Sequence, residues 1–281
     1  MEIITHPKEM QKISEKRRNK GEIISFVPTM GYFHAGHLNL MKEGRESGDF
    51  LVVSLFVNPI QFGPNEDLDQ YPRDFDNDKR LSEEVGVDVI FAPSQDSMYS
   101  DNSQTRVVVE NLTKNLCGLK RPGHFQGVTT IVAKLFNIVK PHYAIFGQKD
   151  YQQLIVIKRM VEDVNFDLKI ITVPTVREAD GLAMSSRNSY LNSEEREAAT
   201  CIYRAIKEAE DLFHSGEKVC SKIINRMKEI IQKNGLNKIE YVQICDADTL
   251  KNLDIIDRPA VAALAVRAGK TRLIDNCLLN N

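Results

Sequence analysis

The chain has 281 residues, 42% hydrophobic and 27% charged, enough to bury one or two cores. Its formal net charge of −2 provides no field for gathering nucleic acid, and no apolar run approaches the roughly 20 residues that span a bilayer, so neither a nucleic-acid nor a membrane partner is expected. Cys117, Cys201, Cys220, Cys245 and Cys277 form no CxxC and no metal-ligand spacing, and the chain opens without an apolar h-region; the expectation is a soluble cytoplasmic protein with reduced thiols.

EIISFVPTM (22–30) reads as a strand, HLNLMKEGRES (37–47) as the helix after it, and FLVVSLFVN (50–58), apolar almost throughout, as a strand covered on both faces. DFDNDKRLSEEVG (74–86) has the pattern of an amphipathic helix, VDVIFAP (87–93) that of a strand, and TRVVVE (105–110) that of a short β segment. A helix over about 128–139, the strand HYAIFG (142–147), a helix over about 151–161 and the strand DLKIITVPT (167–175) follow. Strands separated by helices of this length predict right-handed crossovers and an α/β domain with a doubly wound parallel sheet. Past residue 176 come two long helical stretches, 194–213 and 218–233, then KIEYVQICD (238–246), AVAALAVRA (260–268) and TRLIDNCLL (271–279) with no helix between them. That predicts a smaller C-terminal α+β domain with an antiparallel sheet. The boundary falls at 175/176, ahead of EADGLAMSSRNS, a polar stretch whose Met184–Asn188 loop has little apolar anchorage and is expected to be mobile when empty.

The strongest local signal is Thr29-Met30-Gly31-Tyr32-Phe33-His34-Ala35-Gly36-His37, at the junction of the first strand and first helix. Ligands of open α/β sheets bind at the carboxyl ends of strands, and a helix N-terminus there offers N–H groups and a positive dipole end that suit phosphate. Gly31 and Gly36 allow close approach of a ligand, and His34 and His37, three apart, share a helix face from which imidazoles can donate to phosphate oxygens.

His34-Ala35-Gly36-His37 resembles the HxGH signature of the nucleotidylyltransferase superfamily, which implies adenylyl transfer. Further motifs narrow the resemblance: Val27 to Gly31, Phe56-Val57-Asn58-Pro59-Ile60-Gln61-Phe62-Gly63, Tyr71-Pro72-Arg73, Arg121-Pro122-Gly123-His124-Phe125-Gln126-Gly127-Val128, Phe146-Gly147-Gln148-Lys149-Asp150-Tyr151-Gln152-Gln153, Val173 to Glu178, Gly181 to Asn188, and Gly269 to Asn276. In this order they resemble the pantothenate synthetase family across nearly the whole chain. The resemblance implies a Rossmann-like ATP- and pantoate-binding domain over 1–175 and a lid domain over 176–281 carrying the AMSSRN loop. It implies ATP-driven condensation of pantoate with β-alanine through a pantoyl adenylate, with release of AMP and pyrophosphate, in a homodimer.

Residue by residue, the resemblance implies that His37, His34 and Lys149 are catalytic. It implies ATP contacts at Met30, Gly31, Tyr32, Phe33, His34, Ala35, Gly36, His37, Gly147, Gln148, Lys149, Asp150, Val176, Met184, Ser185, Ser186 and Arg187. Met184-Ser185-Ser186-Arg187 resembles the KMSKS-type loop of the superfamily without its lysines, which leaves Lys149 and Arg187 to supply positive charge. Gln61 and Gln153 match family positions that hold pantoate, and the resemblance implies that Gln61 also meets β-alanine; an amide binds hydroxyl and carboxylate without adding charge. Mg²⁺ is expected through ATP phosphates, and Asp76-Asn77-Asp78 reads equally as a cation contact or a solvated helix start, so no metal ligand is named. Ala268-Gly269-Lys270-Thr271 lacks the first glycine of a P-loop, Leu264 standing there, and reads as a turn; Lys16-Arg17-Arg18 reads as a solvated helix face. The competing readings are an HxGH adenylyltransferase acting on a nucleotide or phosphopantetheine, a non-catalytic nucleotide-binding module, and a tRNA synthetase, the last opposed by the absence of a basic surface.

Overall fold

The structure, a computed structural model, describes residues 1–64 and 66–280. In chain order the elements are β1 (Glu2–Ile4), α1 (Pro7–Asn19), β2 (Ile24–Thr29), α2 (Ala35–Ser47), β3 (Phe50–Leu55), α3 (Phe75–Val85), β4 (Val89–Phe91), α4 (Gln95–Met98), α5 (Leu116–Lys120), α6 (His124–Val139), β5 (Tyr143–Gly147), α7 (Tyr151–Asp163), β6 (Lys169–Val173), α8 (Ser193–His214), α9 (Cys220–Gln232), β7 (Asn237–Asp246), β8 (Ala260–Ala268) and β9 (Thr271–Leu279). They form two compact units. The first comprises 1–110, 121–148 and 153–174; the second comprises 111–120, 149–152 and 175–281.

The first unit is built on a six-stranded sheet in the order β1-β4-β3-β2-β5-β6, parallel throughout. Its inner strands β4, β3, β2 and β5 bury both faces, which is why they read as continuous apolar runs rather than alternating ones. Phe26, Val52, Val89, Phe91, Ala144 and Phe146 pack into one core with Met10, Leu135 and Phe136 of α1 and α6. Their neighbours Val27, Leu51, Val53, Ile90 and Ile145 pack into the other with Met41 of α2. From β2 the chain winds outward through β3 and β4, then returns to place β5 on the opposite side of β2. The sheet therefore has its topological switch point between β2 and β5, where open α/β sheets bind ligands.

The second unit carries the antiparallel sheet β7-β8-β9. Ala260, Ala262, Leu264, Val266 and Ala268, alternate residues of β8, pack with Ile202, Ile206 and Phe213 of α8 and with Ile223, Met227 and Ile231 of α9. A reciprocal cap starts α8: Asn192 Oδ1 accepts from Glu195 N at 2.9 Å, and Glu195 Oε2 accepts from Asn192 N at 3.1 Å. Gly269-Lys270 forms the turn between β8 and β9, with Gly269 at φ 57°.

Two expectations about these elements change, and one short strand was not anticipated. TRVVVE joins no ladder; the main chain of Val107 is held by Thr130 Oγ1 (3.0 Å) and Thr129 Oγ1 (2.6 Å) of α6 instead of a strand. The cluster 16–18 is not simply solvated, because the Arg17 guanidinium lies 4.3 Å from the Phe50 ring centre and Arg18 donates to Lys140 O. β1 escapes periodicity because three residues are too few to show any.

Candidate active site

The turn that leaves β2 runs through two left-handed residues, Gly31 (φ 87°) and Tyr32 (φ 56°). Asp78 of α3, 2% exposed, pins it: Oδ2 accepts from Tyr32 N and Oδ1 from Phe33 N, both at 2.7 Å. A Cβ on Gly31 would stand 2.9 Å from Asp78 Oδ2, so the close approach needs glycine. Burial pushes the Asp78 carboxyl above the usual range, against the pull of the two N–H groups. Asp78 is thus neither a solvated helix start nor a free cation contact. Its neighbours serve α3 itself, Asp74 accepting from Asn77 N and Asn77 Oδ1 accepting from Arg80. The amides of Tyr32 and Phe33 are committed to Asp78, so contacts of these two residues with a nucleotide fall to their other atoms.

His34 is the N-cap of α2. Its Nδ1 accepts from Gly36 N at 3.1 Å, and His37 Nδ1 accepts from His34 N at 3.4 Å. The rings lie 4.1 Å apart at 37°. With both Nδ1 atoms accepting, the neutral rings carry their proton on Nε2, an assignment that follows from the hydrogen bonds. Two Nε2–H donors therefore stand together at a helix N-terminus, a pairing that suits an anion.

Gln61 ends the turn Pro59–Gln61, with its side chain mostly buried. Burial keeps the Tyr99 hydroxyl protonated, and it donates to Asn58 Oδ1 at 2.9 Å. Asn58 Nδ2 donates to Gln61 Oε1 at 3.1 Å and to Gly127 O at 3.1 Å. The chain of donors fixes the Gln61 amide with its oxygen used and its NH₂ presented, 3.1 Å from Met30 Sδ. The α6 end of the motif RPGHF braces the same turn. His124 Nδ1 meets Gln61 O at 2.8 Å, Arg121 Nη1 meets His124 Nε2 at 2.9 Å, and Arg121 forms a two-point ion pair with Glu66. A Cβ on Gly127 would come within 2.5 Å of Ile60 O, so α6 packs directly on the turn backbone. Asn58, Asp78, Arg121 and His124 are missed by sequence reasoning as supporting groups, although three lie inside the quoted motifs; which atoms they hold is visible only across contacts distant in sequence.

Gly147 ends β5 at the switch point, followed by Gln148. In the second unit Lys149 Nζ lies 3.6 Å from Asp150 Oδ2, and Lys149 O accepts from Asn276 Nδ2 at 2.8 Å. The two neighbouring glutamines of α7 part ways. Gln152 is buried, donating to Leu112 O and Asn115 O and accepting from Cys117 N, whereas Gln153 is half-exposed. Ahead of the Met184–Asn188 loop, which is expected to be mobile when empty, residues 177–183 are tied down. Arg177 bridges to the buried Asp275 at 2.6 and 3.0 Å and donates to Gly181 O, and Asn188 donates to Glu178 and Ala183 O. Burial pushes the Asp275 carboxyl up, countered by the Arg177 guanidinium and the Asn276 N–H. Met184 N donates to Val176 O, and Ser185 caps the turn Ser186–Tyr190, with its Oγ accepting from Arg187 N at 3.3 Å. Among the described residues no group of three or more His, Cys, Asp or Glu could hold a metal ion.

The chain matches the Pantoate-beta-alanine ligase family over residues 2–278. It is 57% identical over 276 residues to the pantothenate synthetase of Syntrophus aciditrophicus (strain SB), covering 98% of this chain and 96% of that one. Among solved structures, pantothenate synthetase from Thermus thermophilus superposes with a TM-score of 0.95 at 43% identity, with full coverage of both chains. Pantoate-beta-alanine ligase from Francisella tularensis, solved in complex with beta-gamma ATP and β-alanine, superposes with a TM-score of 0.82 at 35% identity over all of this chain and 98% of that one. With an HxGH pair at the carboxyl end of β2 and the relatives matched along its whole length, the chain belongs to the pantoate–β-alanine ligase family, the pantothenate synthetases.

Proposed function

We propose that this chain condenses pantoate with β-alanine at the expense of ATP, by way of pantoyl adenylate. The observation that carries the reading is the His34–His37 pair, whose Nε2–H groups stand at the α2 N-terminus beside the β2/β5 switch point. A carboxylate is a poor electrophile. Attack of the pantoate carboxylate on the α-phosphorus of MgATP forms a mixed anhydride and expels pyrophosphate; the amine of β-alanine then attacks the acyl carbon and AMP leaves. The protein's part is positioning and charge stabilisation. His37 and His34 donate to the oxygens that gain charge as pyrophosphate departs, Lys149 supplies a point cation, and Ser185, Ser186 and Arg187 bind phosphate oxygens as the 184–187 segment orders. Gln61 directs its NH₂ to the pantoate carboxylate and later meets β-alanine, and Gln153 completes the pantoate contacts. Mg²⁺ enters as part of the substrate, held mainly by phosphate and water, which fits a site whose buried carboxylate already binds two amides.

We also infer a cytoplasmic homodimer. The apolar side chain of Val108, 55% exposed, is what supports a contact with a second copy. The five cysteines, all unpaired and buried, suit a reducing compartment.

Labelled pyrophosphate should enter ATP when pantoate is present and β-alanine absent. His37→Ala should lower that exchange by roughly 10²–10³, the cost of losing one transition-state donor, in a protein that still folds. Exchange that strictly required β-alanine would refute the adenylate route.

A further inference from the structure

Two adjacent residues of β9, Asp275 and Asn276, are 2% and 3% exposed, at positions where core packing alone would be served by apolar side chains. A buried polar side chain costs free energy unless it is bonded, and both are bonded outside their own strand. Asn276 Nδ2 donates to the main-chain oxygen of Lys149 at 2.8 Å. Asp275 holds Arg177 at two points, and Arg177 in turn donates to Gly181 O at 3.1 Å, at the root of the 184–187 segment. The N–H of Asn276 donates to Asp275 Oδ1 at 2.8 Å, so the pair is locked to itself. Lys149 lies in the single 3₁₀ turn Gln148–Asp150 between a strand and a helix, where no ladder fixes its carbonyl. The donor from β9 adds to the turn's own hydrogen bonds in setting the backbone at Lys149, and with it the direction of the Cα–Cβ bond.

We propose that Asn276 is a positioning residue for the adenylation step, acting through Lys149, with Asp275 as the matching anchor for the 176–188 segment. β9 is then the common base of two phosphate-handling segments that are distant in sequence. The inference rests on the reading of Lys149 as a phosphate-binding cation. A hydrogen bond that sets a catalytic backbone acts on rate more than on folding, since a misplacement of about 1 Å can cost up to 10²-fold.

The test is a double-mutant cycle read by pyrophosphate–ATP exchange, with thermal unfolding and pantoate KM measured on each protein. Asn276→Ala should slow exchange about tenfold at saturating ATP and leave pantoate KM within about twofold. In the Lys149→Ala background the same change should alter exchange by less than about twofold, because the group it positions is gone. Asn276→Leu keeps the branched shape and the number of heavy atoms, removes the donor, and should match Asn276→Ala; it carries the cycle if the alanine variant unfolds. Losses that multiply across the cycle would overturn the proposal, because Asn276 would then act independently of Lys149. Wild-type exchange in Asn276→Ala beside an impaired Lys149→Ala would overturn it while sparing the role of the lysine. Wild-type exchange in Lys149→Ala would remove the lysine from the chemistry and the proposal with it.

Discussion

Replacing Gln61 by glutamate keeps the shape of the side chain and inverts what it presents. One carboxylate oxygen can still accept from Asn58 Nδ2, as Gln61 Oε1 does at 3.1 Å. The other takes the place of the NH₂ beside Met30, so the donor we propose for the pantoate carboxylate becomes a second anion. The lost charge-assisted hydrogen bond is worth about 1.5–3 kcal/mol. Two carboxylates about 4 Å apart at an effective dielectric constant of about 20 repel by about 4 kcal/mol. The new carboxyl can escape by taking up a proton, at about 1.4 kcal/mol per unit of pKa shift, which caps the repulsion near the same value at pH 7. The protonated carboxyl donates in place of the lost NH₂, so at about 1.4 kcal/mol per decade the cap alone predicts pantoate binding weaker by about 10³-fold, with ATP affinity within about threefold. Gln61→Met, which loses only the hydrogen bond, should cost about 10–100-fold. Calorimetric titration of each ligand separates these outcomes. Affinity of Gln61→Glu for pantoate should recover as pH falls toward 5, because the protonated carboxyl is neutral and donates. Equal weakening of both ligands, or methionine and glutamate variants that behave alike, would refute the assignment.

Asp78→Asn should turn an NH₂ toward the amide of Tyr32 or Phe33 and destabilise the fold by about 1–3 kcal/mol, while exchange of pyrophosphate into ATP falls further than the unfolded fraction explains; an exchange rate matching the folded fraction would mean that Asp78 serves stability alone. Burial pushes the Glu66 carboxyl up, but its hydrogen bonds and ion pair with Arg121 hold it below its usual 4.5. Its stabilisation is therefore full above about pH 4.5 and fades as pH falls through the lower folded value, so Glu66→Gln should flatten that part of the acid limb of stability by about 1 kcal/mol in denaturant titrations; an unchanged limb would count against the pair. Hydrogen exchange should be slow at residues 177–183 with or without nucleotide and should slow on MgATP only around 184–187; nucleotide-dependent protection across the whole stretch would restore a loosely anchored loop.

The α/β alternation was legible because the inner strands bury both faces and the crossover helices are long enough to show their own period. Phe50–Leu55 and Tyr143–Gly147 stand where the apolar runs are. The antiparallel second sheet was legible from three β-like runs without helices between them. TRVVVE has strand composition, but composition does not reveal a partner, and here the partners are threonine hydroxyls of α6. The stretch 176–188 looked loose because its anchorage is polar and long-range: the partner of Arg177 lies 98 residues away. The same limit hid Asp78, which reads as one more acidic residue of an amphipathic helix until the turn 46 residues earlier is seen to need two acceptors. His34, His37 and Gln61 could be found by motif, whereas the tautomer of the first two and the amide orientation of the third come only from the groups that hold them.

The pinned turn after β2 bears on inhibitor chemistry. A glycine-bearing turn ahead of a helix invites a designed phosphate mimic to reach for its main-chain N–H groups. At Tyr32 and Phe33 those groups already serve a buried carboxylate, so an acidic substituent extended toward them would meet Asp78 and lose affinity. A neutral or weakly basic substituent suits that corner, and acidic bulk belongs opposite the paired imidazoles.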